Sequence, residues 1–292
     1  MNKKTVIHVF TNNCCNIKYN SNDTSSYWGI GDLIRGSIKL YQYSQIMNFN
    51  YYIDISLHPI SKYLINLEHP YKQLVIDNKD KIEYFYIDTL KQSLKKKLKD
   101  KNDKSIIMLT TNDRIIETLS VTDECKTFIL NIFTPNPKFK EYLDKYISSI
   151  GKNKCEYDIC HFRMGDDLLI KENNDTIFEN KLNTIESFLN KYIINDYISV
   201  DTDILLTDNK YLKQYVLDNN IMFTPNTIIK HLGIDDSNDI YEDYGTRDTL
   251  VEFFLLLNSK SIKTYTCYSW ISGFVFWISV LKNIPIVILK KL

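Results

Sequence analysis

The sequence has no excess of charge of either sign, because 36 Lys and Arg side chains balance 36 Asp and Glu side chains. This balance argues against a broad surface for nucleic acid or for an anionic membrane, while it leaves room for a local basic pocket. None of the six cysteines forms a CxxC pair, and no histidine stands at zinc-finger spacing. A structural zinc site is therefore not expected, and we predict free thiols.

A signal peptide and a clear membrane span are also missing. The chain starts with the basic segment 1–4, but the apolar stretch that follows is too short for a signal peptide. We therefore expect a cytoplasmic protein whose thiols stay reduced. The longest uncharged run, residues 264–281, is interrupted by Thr, Tyr, Ser and Gly and falls short of about 20 apolar residues. A buried strand, loop and helix is the preferred interpretation of this run, and a membrane-attached protein is the alternative.

The common nucleotide and metal motifs are incomplete. No P-loop spacing occurs, and in the dinucleotide fingerprint Ile34 stands where the third glycine would follow Gly29 and Gly31. A DxD pair at the end of a strand, which would hold a divalent ion, is absent as well. Residues 201–203 spell Asp-Thr-Asp, but they precede a predicted strand and are interpreted as a polar loop. We predict no metal site and no bound cofactor.

What the sequence does contain is a regular alternation of strand and helix patterns. Its 292 residues are 44% hydrophobic, which suffices for two packed domains of about 150 residues. Such alternation is typical of parallel sheets covered by helices. The predicted strands are residues 5–10, 51–55, 74–76, 82–87, 105–109, 157–162, 204–207, 221–223, 261–266 and 285–289. The predicted helices are residues 33–46, 139–150, 183–194, 209–217, 249–257 and 270–281, with a solvated lysine-rich face at 93–101.

Two domains follow from this pattern. The polar segment 151–154 is a plausible linker, so we assign residues 1–150 to an N-terminal domain and residues 151–292 to a C-terminal domain. The predicted fold class is α/β, with two Rossmann-like domains facing across a cleft. Sheets of this kind bind ligands at the carboxyl ends of their strands, where helix N-termini and backbone amides point at the ligand.

The segment with the clearest chemistry is residues 160–167, at the end of a predicted strand. His161 and Arg163 project from the same side of that strand because successive side chains alternate. A guanidinium at a strand's carboxyl end can form two hydrogen bonds with a phosphate and stabilise a departing diphosphate. Spacing alone equally allows a surface arginine paired with Asp166 or Asp167.

Residues 161–166 resemble the His-x-Arg-Arg-x-Asp motif of the α1,2-, α1,6- and protein O-fucosyltransferases. The resemblance implies that Arg163 contacts the donor diphosphate and that His161 lies against the same donor. Met164 stands where that family often has its second arginine.

Two further segments fit the same resemblance. Residues 28–36 are similar to the glycine-containing loop after the family's first strand, which places Gly29, Gly31 and Asp32 on the donor. Asp32 is also suited to the first turn of a helix. Residues 205–209 look like the family's strand ending in Thr-Asp, which would bring Asp208 to the donor. We nevertheless favour Asp208 as the N-cap of the following helix.

Residues 247–276 resemble the family's carboxy-terminal donor site. The resemblance implies that an acidic side chain recognises guanine, a role that fits Glu252 best and Asp248 second. A carboxylate can accept from both N1–H and the exocyclic amine of guanine. Tyr268, Ser269 and Ser272 match the turn that binds phosphate. The alternative for Glu252 is an ordinary solvated helix residue.

The resemblance implies an inverting fucosyltransferase of the GT-B fold that uses GDP-fucose without a metal ion. Its acceptor would be a hydroxyl of a glycan or a protein. Asp166 and Glu172 are the first candidates for the general base, and Asp167, Asp32 and Asp54 are further ones. The alternatives are a related transferase that uses another nucleotide sugar and a non-catalytic nucleotide- or glycan-binding protein of the same fold.

Overall fold

The computed structural model contains two compact units, each with its own parallel sheet. The boundary between them lies inside one helix, between Glu141 and Tyr142. The structure describes residues 3–10, 28–65, 71–87, 92–100, 106–111, 119–151, 155–164, 186–187, 189–195, 197–201, 203–228 and 242–289.

Unit 1 is built on a four-stranded parallel sheet with the order β2-β1-β4-β3. Its strands are β1 (Thr5–Val9), β2 (Asn50–Asp54), β3 (Ile82–Ile87) and β4 (Ile106–Thr111). Its helices are α1 (Ile30–Met47), α2 (Tyr71–Asp77), α3 (Gln92–Lys99) and α4 (Asp123–Leu130). The strands β1 and β4 are almost wholly buried, as expected for a parallel sheet that helices cover. The lysine-rich segment is helix α3, as predicted.

Unit 2 is also built on a four-stranded parallel sheet, in the order β6-β5-β7-β8. Its strands are β5 (Asp158–Arg163), β6 (Asp203–Thr207), β7 (Ser261–Thr266) and β8 (Ile286–Ile288). Helix α5 (Pro137–Ser149) spans the boundary, and α6 (Lys210–Asp218), α7 (Glu242–Leu257) and α8 (Gly273–Lys282) follow. The predicted α/β class with parallel sheets is thereby confirmed.

Two of the predicted strands are wrong. Residues 74–76 lie in helix α2, because Tyr71 and Val75, four residues apart, pack into the core while Leu74 and Ile76 are exposed. Residues 221–223 form no strand: the carbonyl of Phe223 accepts one hydrogen bond from the backbone of β6. The short run then reaches Pro225, which has no N–H to continue a ladder.

The prediction of a polar loop at residues 201–203 is also wrong at Asp203. Asp203 is the first residue of β6 and is fully buried. Its carboxylate lies 2.7 Å from Nζ of Lys263, which is on β7 two strands away, and accepts the Ser199 amide at 2.9 Å. An ion pair at the amino end of the strands explains this burial, because the buried carboxylate has a cation beside it.

The uncharged run at residues 264–281 consists of the end of β7, a bend and most of α8. The predicted helix therefore begins three residues later than expected, at Gly273. Within the part of the chain that the structure describes, no helix is long and apolar enough to cross a membrane. Cys125, Cys155 and Cys160 are free thiols.

Candidate active site at the carboxyl edge of the second sheet

The topology of unit 2 places a switch point at the carboxyl ends of its strands. From β5 the chain moves to β6 on one side and then to β7 on the other, so the strand order reverses between β5 and β7. Ligands of open α/β sheets bind at such a switch point. The residues that leave β5, β6 and β7 at this edge form the candidate site.

Strand β5 presents different chemistry on its two faces. Phe162 points into the aromatic part of the core, with its ring centroid 5.4 Å from Tyr192 and 5.8 Å from Tyr265. His161 and Arg163 occupy the opposite face, as strand alternation requires. The core contact of Phe162 thus fixes the direction in which Arg163 points.

Arg163 forms an ion pair with Asp208, which directly follows β6. Both side chains are 12% exposed, and the second carboxylate oxygen of Asp208 accepts the Met164 amide at 2.7 Å. The prediction that Asp208 caps helix α6 is wrong, because Asn209 is the N-cap and accepts from Tyr211 and Leu212. Asp208 is thereby available to hold the guanidinium of Arg163.

The turn that places Asp208 is fixed by Thr207. Its hydroxyl donates to the Phe162 carbonyl at 2.9 Å and accepts the Asn209 amide at 3.1 Å. The end of β6 is therefore tied to the end of β5, and the residue between Thr207 and Asn209 is directed at Arg163. The Met164 side chain packs against the hydrophobic core of unit 2.

His161 is a buried neutral histidine beside this ion pair. Its Nδ1 lies 3.2 Å from the Thr264 hydroxyl of β7. Burial lowers the pKa of His161 to about 4, with smaller and opposed contributions from Asp208 and Arg163. At neutral pH it therefore contributes a hydrogen-bonding ring and no charge.

The bend between β7 and α8 contains the predicted phosphate-binding residues. The Cys267 amide donates to the Arg163 carbonyl at 3.0 Å, and the Tyr268 ring centroid lies 5.9 Å from Arg163 Cζ. Ser269 is exposed. Ser272 is the N-cap of α8, yet its side chain makes no capping hydrogen bond. This helix N-terminus accordingly offers a hydroxyl and backbone N–H groups at the end of the bend that contacts Arg163 through Cys267 and Tyr268, a combination suited to an anion.

Glu252 lies away from water on helix α7, so its interpretation as a solvated residue is wrong. Its side chain is 17% exposed, and Nζ of Lys213, whose side chain is 8% exposed, lies 3.5 Å from its carboxylate. Thr227 connects the two, since its hydroxyl accepts from Lys213 and donates to Glu252. Burial raises the pKa of Glu252 and lowers the pKa of Lys213, while their pairing opposes both shifts. The guanine-recognition role of Glu252 stays a prediction.

Asp248, the second choice for guanine recognition, is engaged on both oxygens. One accepts from the Arg247 guanidinium at 2.9 Å and the other accepts the Ile228 amide at 2.8 Å. The Arg247 guanidinium in turn lies over two tyrosine rings, 4.5 Å from Tyr142 and 5.0 Å from Tyr244. These contacts account for the burial of Asp248 without a ligand.

Removing the cation beside Glu252 should destabilise unit 2. In Lys213→Met the buried carboxylate loses its ionic partner, and we expect the free energy of unfolding to fall by about 3 kcal/mol. Urea denaturation followed by far-ultraviolet circular dichroism measures the change. Lys191→Met, at an exposed lysine of the same unit, is the control and should stay within about 0.5 kcal/mol of the parent.

A paired substitution separates this explanation from a simple packing defect. Lys213→Met combined with Glu252→Leu removes both charges and should recover part of the lost stability. Unchanged stability of the single Lys213→Met variant would show that the ion pair does not hold Glu252 in place.

In unit 1 the glycine-containing segment opens helix α1. Gly29 is the N-cap and Asp32 lies in the first turn, where it pairs with Arg35 at 2.9 Å. Gly29 has φ −62°, and an added Cβ would be 4.0 Å from its nearest neighbour, so the fold itself does not require glycine there. Gly31 is buried in the first turn of the same helix.

His58 holds this segment in place, a role that its sequence context did not indicate. It lies after β2 and is 1% exposed, with Nε2 donating to the Trp28 carbonyl at 3.3 Å and Nδ1 accepting the Ile60 amide at 3.3 Å. Burial lowers the pKa of His58 to about 4. The contact brings the start of α1 to the carboxyl edge of the first sheet.

Some predicted residues cannot be placed. Asp166 and Glu172 lie outside the described residues, as does Asp167.

Lys213 was not identified from the sequence, although a lysine between the apolar residues Leu212 and Val216 of a helix is a signal that a buried partner exists. Among the residues that the structure describes, no group of three His, Cys, Asp or Glu side chains could hold a metal ion.

Solved structures with a similar fold include fucosyltransferases. A structure of NodZ from Bradyrhizobium has a TM-score of 0.53 at 11% identity, covering 98% of this chain and 94% of NodZ. NodZ α-1,6-fucosyltransferase soaked with GDP-fucose has a TM-score of 0.51 at 12% identity, with coverages of 97% and 94%. An Arabidopsis thaliana FUT1 mutant in complex with GDP has a TM-score of 0.50 at 12% identity, with coverages of 99% and 71%.

The chain has a fucosyltransferase-like fold. This confirms the fold that the motif resemblance implied. No protein-family model matches the sequence, and no curated protein matches it.

Proposed function

We propose that this protein is a glycosyltransferase that transfers fucose from GDP-fucose to a hydroxyl group of a glycan or a protein. The observation that carries the proposal is the position of Arg163, at the carboxyl end of a central strand and in contact with Cys267 and Tyr268 of the bend that leads to helix α8. The fold supports it, because the similar NodZ and FUT1 structures were determined with GDP-fucose and GDP.

In the proposed reaction the acceptor oxygen attacks the anomeric carbon of fucose from the side opposite the diphosphate. The bond between that carbon and the diphosphate oxygen breaks, and GDP leaves with an additional negative charge. Arg163 and the backbone N–H groups at the start of α8 stabilise this charge. The hydroxyl proton passes to a general base, for which Asp166 and Glu172 remain our candidates.

Asp208 has a different role in this scheme from Arg163. A carboxylate repels a diphosphate, so direct contact with the donor is less favourable than the observed pairing with Arg163. We propose that Asp208 positions the guanidinium before the donor arrives. The hydroxyl of Ser272, which makes no capping hydrogen bond, supplies a further phosphate contact. We further propose that the reaction needs no metal ion and takes place in the cytoplasm.

Isothermal titration calorimetry of the purified protein with GDP, UDP and dTDP tests the donor assignment. We expect GDP to bind with at least about a tenfold lower Kd than UDP or dTDP. The same GDP affinity in the presence of EDTA is expected if no divalent ion takes part.

Other outcomes point to the alternatives. A preference for UDP or dTDP would keep a transferase and replace its donor. GDP binding without transfer to any acceptor would favour a non-catalytic nucleotide-binding protein. If no nucleotide binds, the proposed function is wrong.

A further inference from the structure

We propose that the exposed indole of Trp270 is a stacking platform for a sugar ring of the acceptor, so that the acceptor is a glycan and not a bare protein side chain. This inference deepens the proposed function and rests on it. It assigns a role to an aromatic residue in the bend between β7 and α8 that the donor scheme leaves unused.

The exposure of Trp270 is the first observation. Its side chain is 63% exposed, whereas Trp277, seven residues later in the same region, is 7% exposed and belongs to the core. Leaving most of an indole in water forgoes the hydrophobic stabilisation that its burial would provide. An exposed tryptophan beside a candidate active site is therefore available for a ligand.

The second observation is that the indole has a fixed orientation. The rings of Tyr268 and Trp270 stack with their centroids 4.8 Å apart and their planes 12° from parallel. The Tyr268 amide donates to the Thr266 hydroxyl at 3.2 Å, which ties this stack to the end of β7. A preorganised ring loses little conformational entropy when a ligand binds.

The third observation is the short path from the indole to the proposed leaving-group site. Tyr268 is in contact with Trp270 on one side, and its ring centroid lies 5.9 Å from Arg163 Cζ. The Tyr268 ring therefore lies between the indole of Trp270 and the guanidinium of Arg163 and contacts both. A sugar bound there would lie beside the transferred group, where an acceptor must be.

The open geometry favours a sugar over the base of the nucleotide. A base needs fixed donors and acceptors around its edge, which a closed pocket provides. The indole is covered by Tyr268 on one side and is otherwise largely open. A pyranose ring can place its apolar C–H face on such a surface while its hydroxyl groups remain hydrated.

Sugar binding can be tested without any assumption about the donor. The indole N–H signal of Trp270, identified by its absence in Trp270→Phe, is followed by NMR during titration with methyl β-galactoside, methyl β-glucoside and lactose. We expect a saturable shift with at least one sugar. If none of them shifts the signal at tens of millimolar, the proposal is overturned.

Steady-state kinetics then connect the platform to the reaction. With GDP-fucose and the sugar that binds, Trp270→Ala should raise the acceptor KM about tenfold and leave the calorimetric Kd for GDP within about twofold. Trp270→Phe should recover most of the loss, and the exposed-residue control Ile194→Ala should match the parent.

A failure of the acceptor assignment and a failure of the proposed fucosyltransferase function give different results. An equal weakening of GDP binding in Trp270→Ala would mean that the indole holds the base, and it would overturn the acceptor assignment while keeping the transferase. An unchanged acceptor KM would overturn the assignment as well. A parent protein that binds sugar at Trp270 but binds no GDP would contradict the proposed donor and leave the platform intact.

Discussion

Replacing Arg163 with alanine is expected to lower kcat/KM for fucosyl transfer by about 10²–10³-fold, the usual cost of removing one preorganised charge-stabilising donor. Arg163 is held by Asp208 and by its place on β5, so it needs no rearrangement when charge develops on the leaving diphosphate. GDP binding should weaken in parallel. Initial rates with GDP-fucose and calorimetric titration with GDP measure the two effects.

The controls separate chemistry from folding. Arg163→Lys keeps the charge opposite Asp208 but loses the planar fork, and it should show an intermediate rate because an ammonium cannot reproduce two parallel hydrogen bonds. Lys126→Ala removes a lysine that pairs with Asp123 at 3.1 Å in unit 1, and it should leave the rate unchanged. Near-normal transfer by a folded Arg163→Ala protein would rule out the assignment.

Acidification is expected to destabilise the fold strongly between pH 6.5 and pH 4. Burial lowers the pKa of His8 to about 3 and lowers the pKa of His58 and His161 to about 4. In the unfolded chain these groups titrate near the ordinary value of 6.5. In this window the unfolded state therefore binds more protons than the folded state.

The direction follows from that difference. Stability is fully present above pH 6.5 and falls as the pH decreases, by up to about 1.4 kcal/mol per pH unit for each histidine. His8 shows why protonation of these histidines is unfavourable. Its Nε2 accepts the Thr111 amide at 3.4 Å and its Nδ1 lies 3.0 Å from the Ser37 hydroxyl, and all three residues are buried. Charging such a ring has a large desolvation cost.

Urea denaturation at pH 7.5, pH 6 and pH 5 measures this loss. His161→Asn removes one of the three titrating groups and should reduce the dependence of stability on pH, whatever it does to stability at pH 7.5. Equal unfolding free energies at pH 7.5 and pH 5 would contradict the burial of these histidines.

The sequence predicted the parallel sheets well where one periodicity was clear. Strand β3 has the predicted bounds, and β7 matches residues 261–266. Prediction failed where a short apolar run is compatible with both a strand and a helix, as in α2, whose core-facing residues Tyr71 and Val75 are four apart. A run of three apolar residues does not reveal which of them a distant sheet will cover.

The candidate site divides in the same way. Strand alternation alone places His161 and Arg163 on the same face, and the motif resemblance alone indicates a fucosyltransferase-like fold. The sequence could not show that Asp208 holds Arg163 while Asn209 caps the helix, because both residues are suitable caps. Their choice depends on the neighbouring strand that brings a guanidinium within reach of one of them.

Local periodicity and residue type thus determined most of the strands and helices and the chemical character of the β5 terminus. Only the tertiary structure decided which charges meet. Lys213 and Glu252 are 39 positions apart in sequence, and Arg163 and Asp208 are 45 apart. Such partners are chosen by strand order and by the burial that makes an unpaired charge costly, and neither is encoded in any short segment.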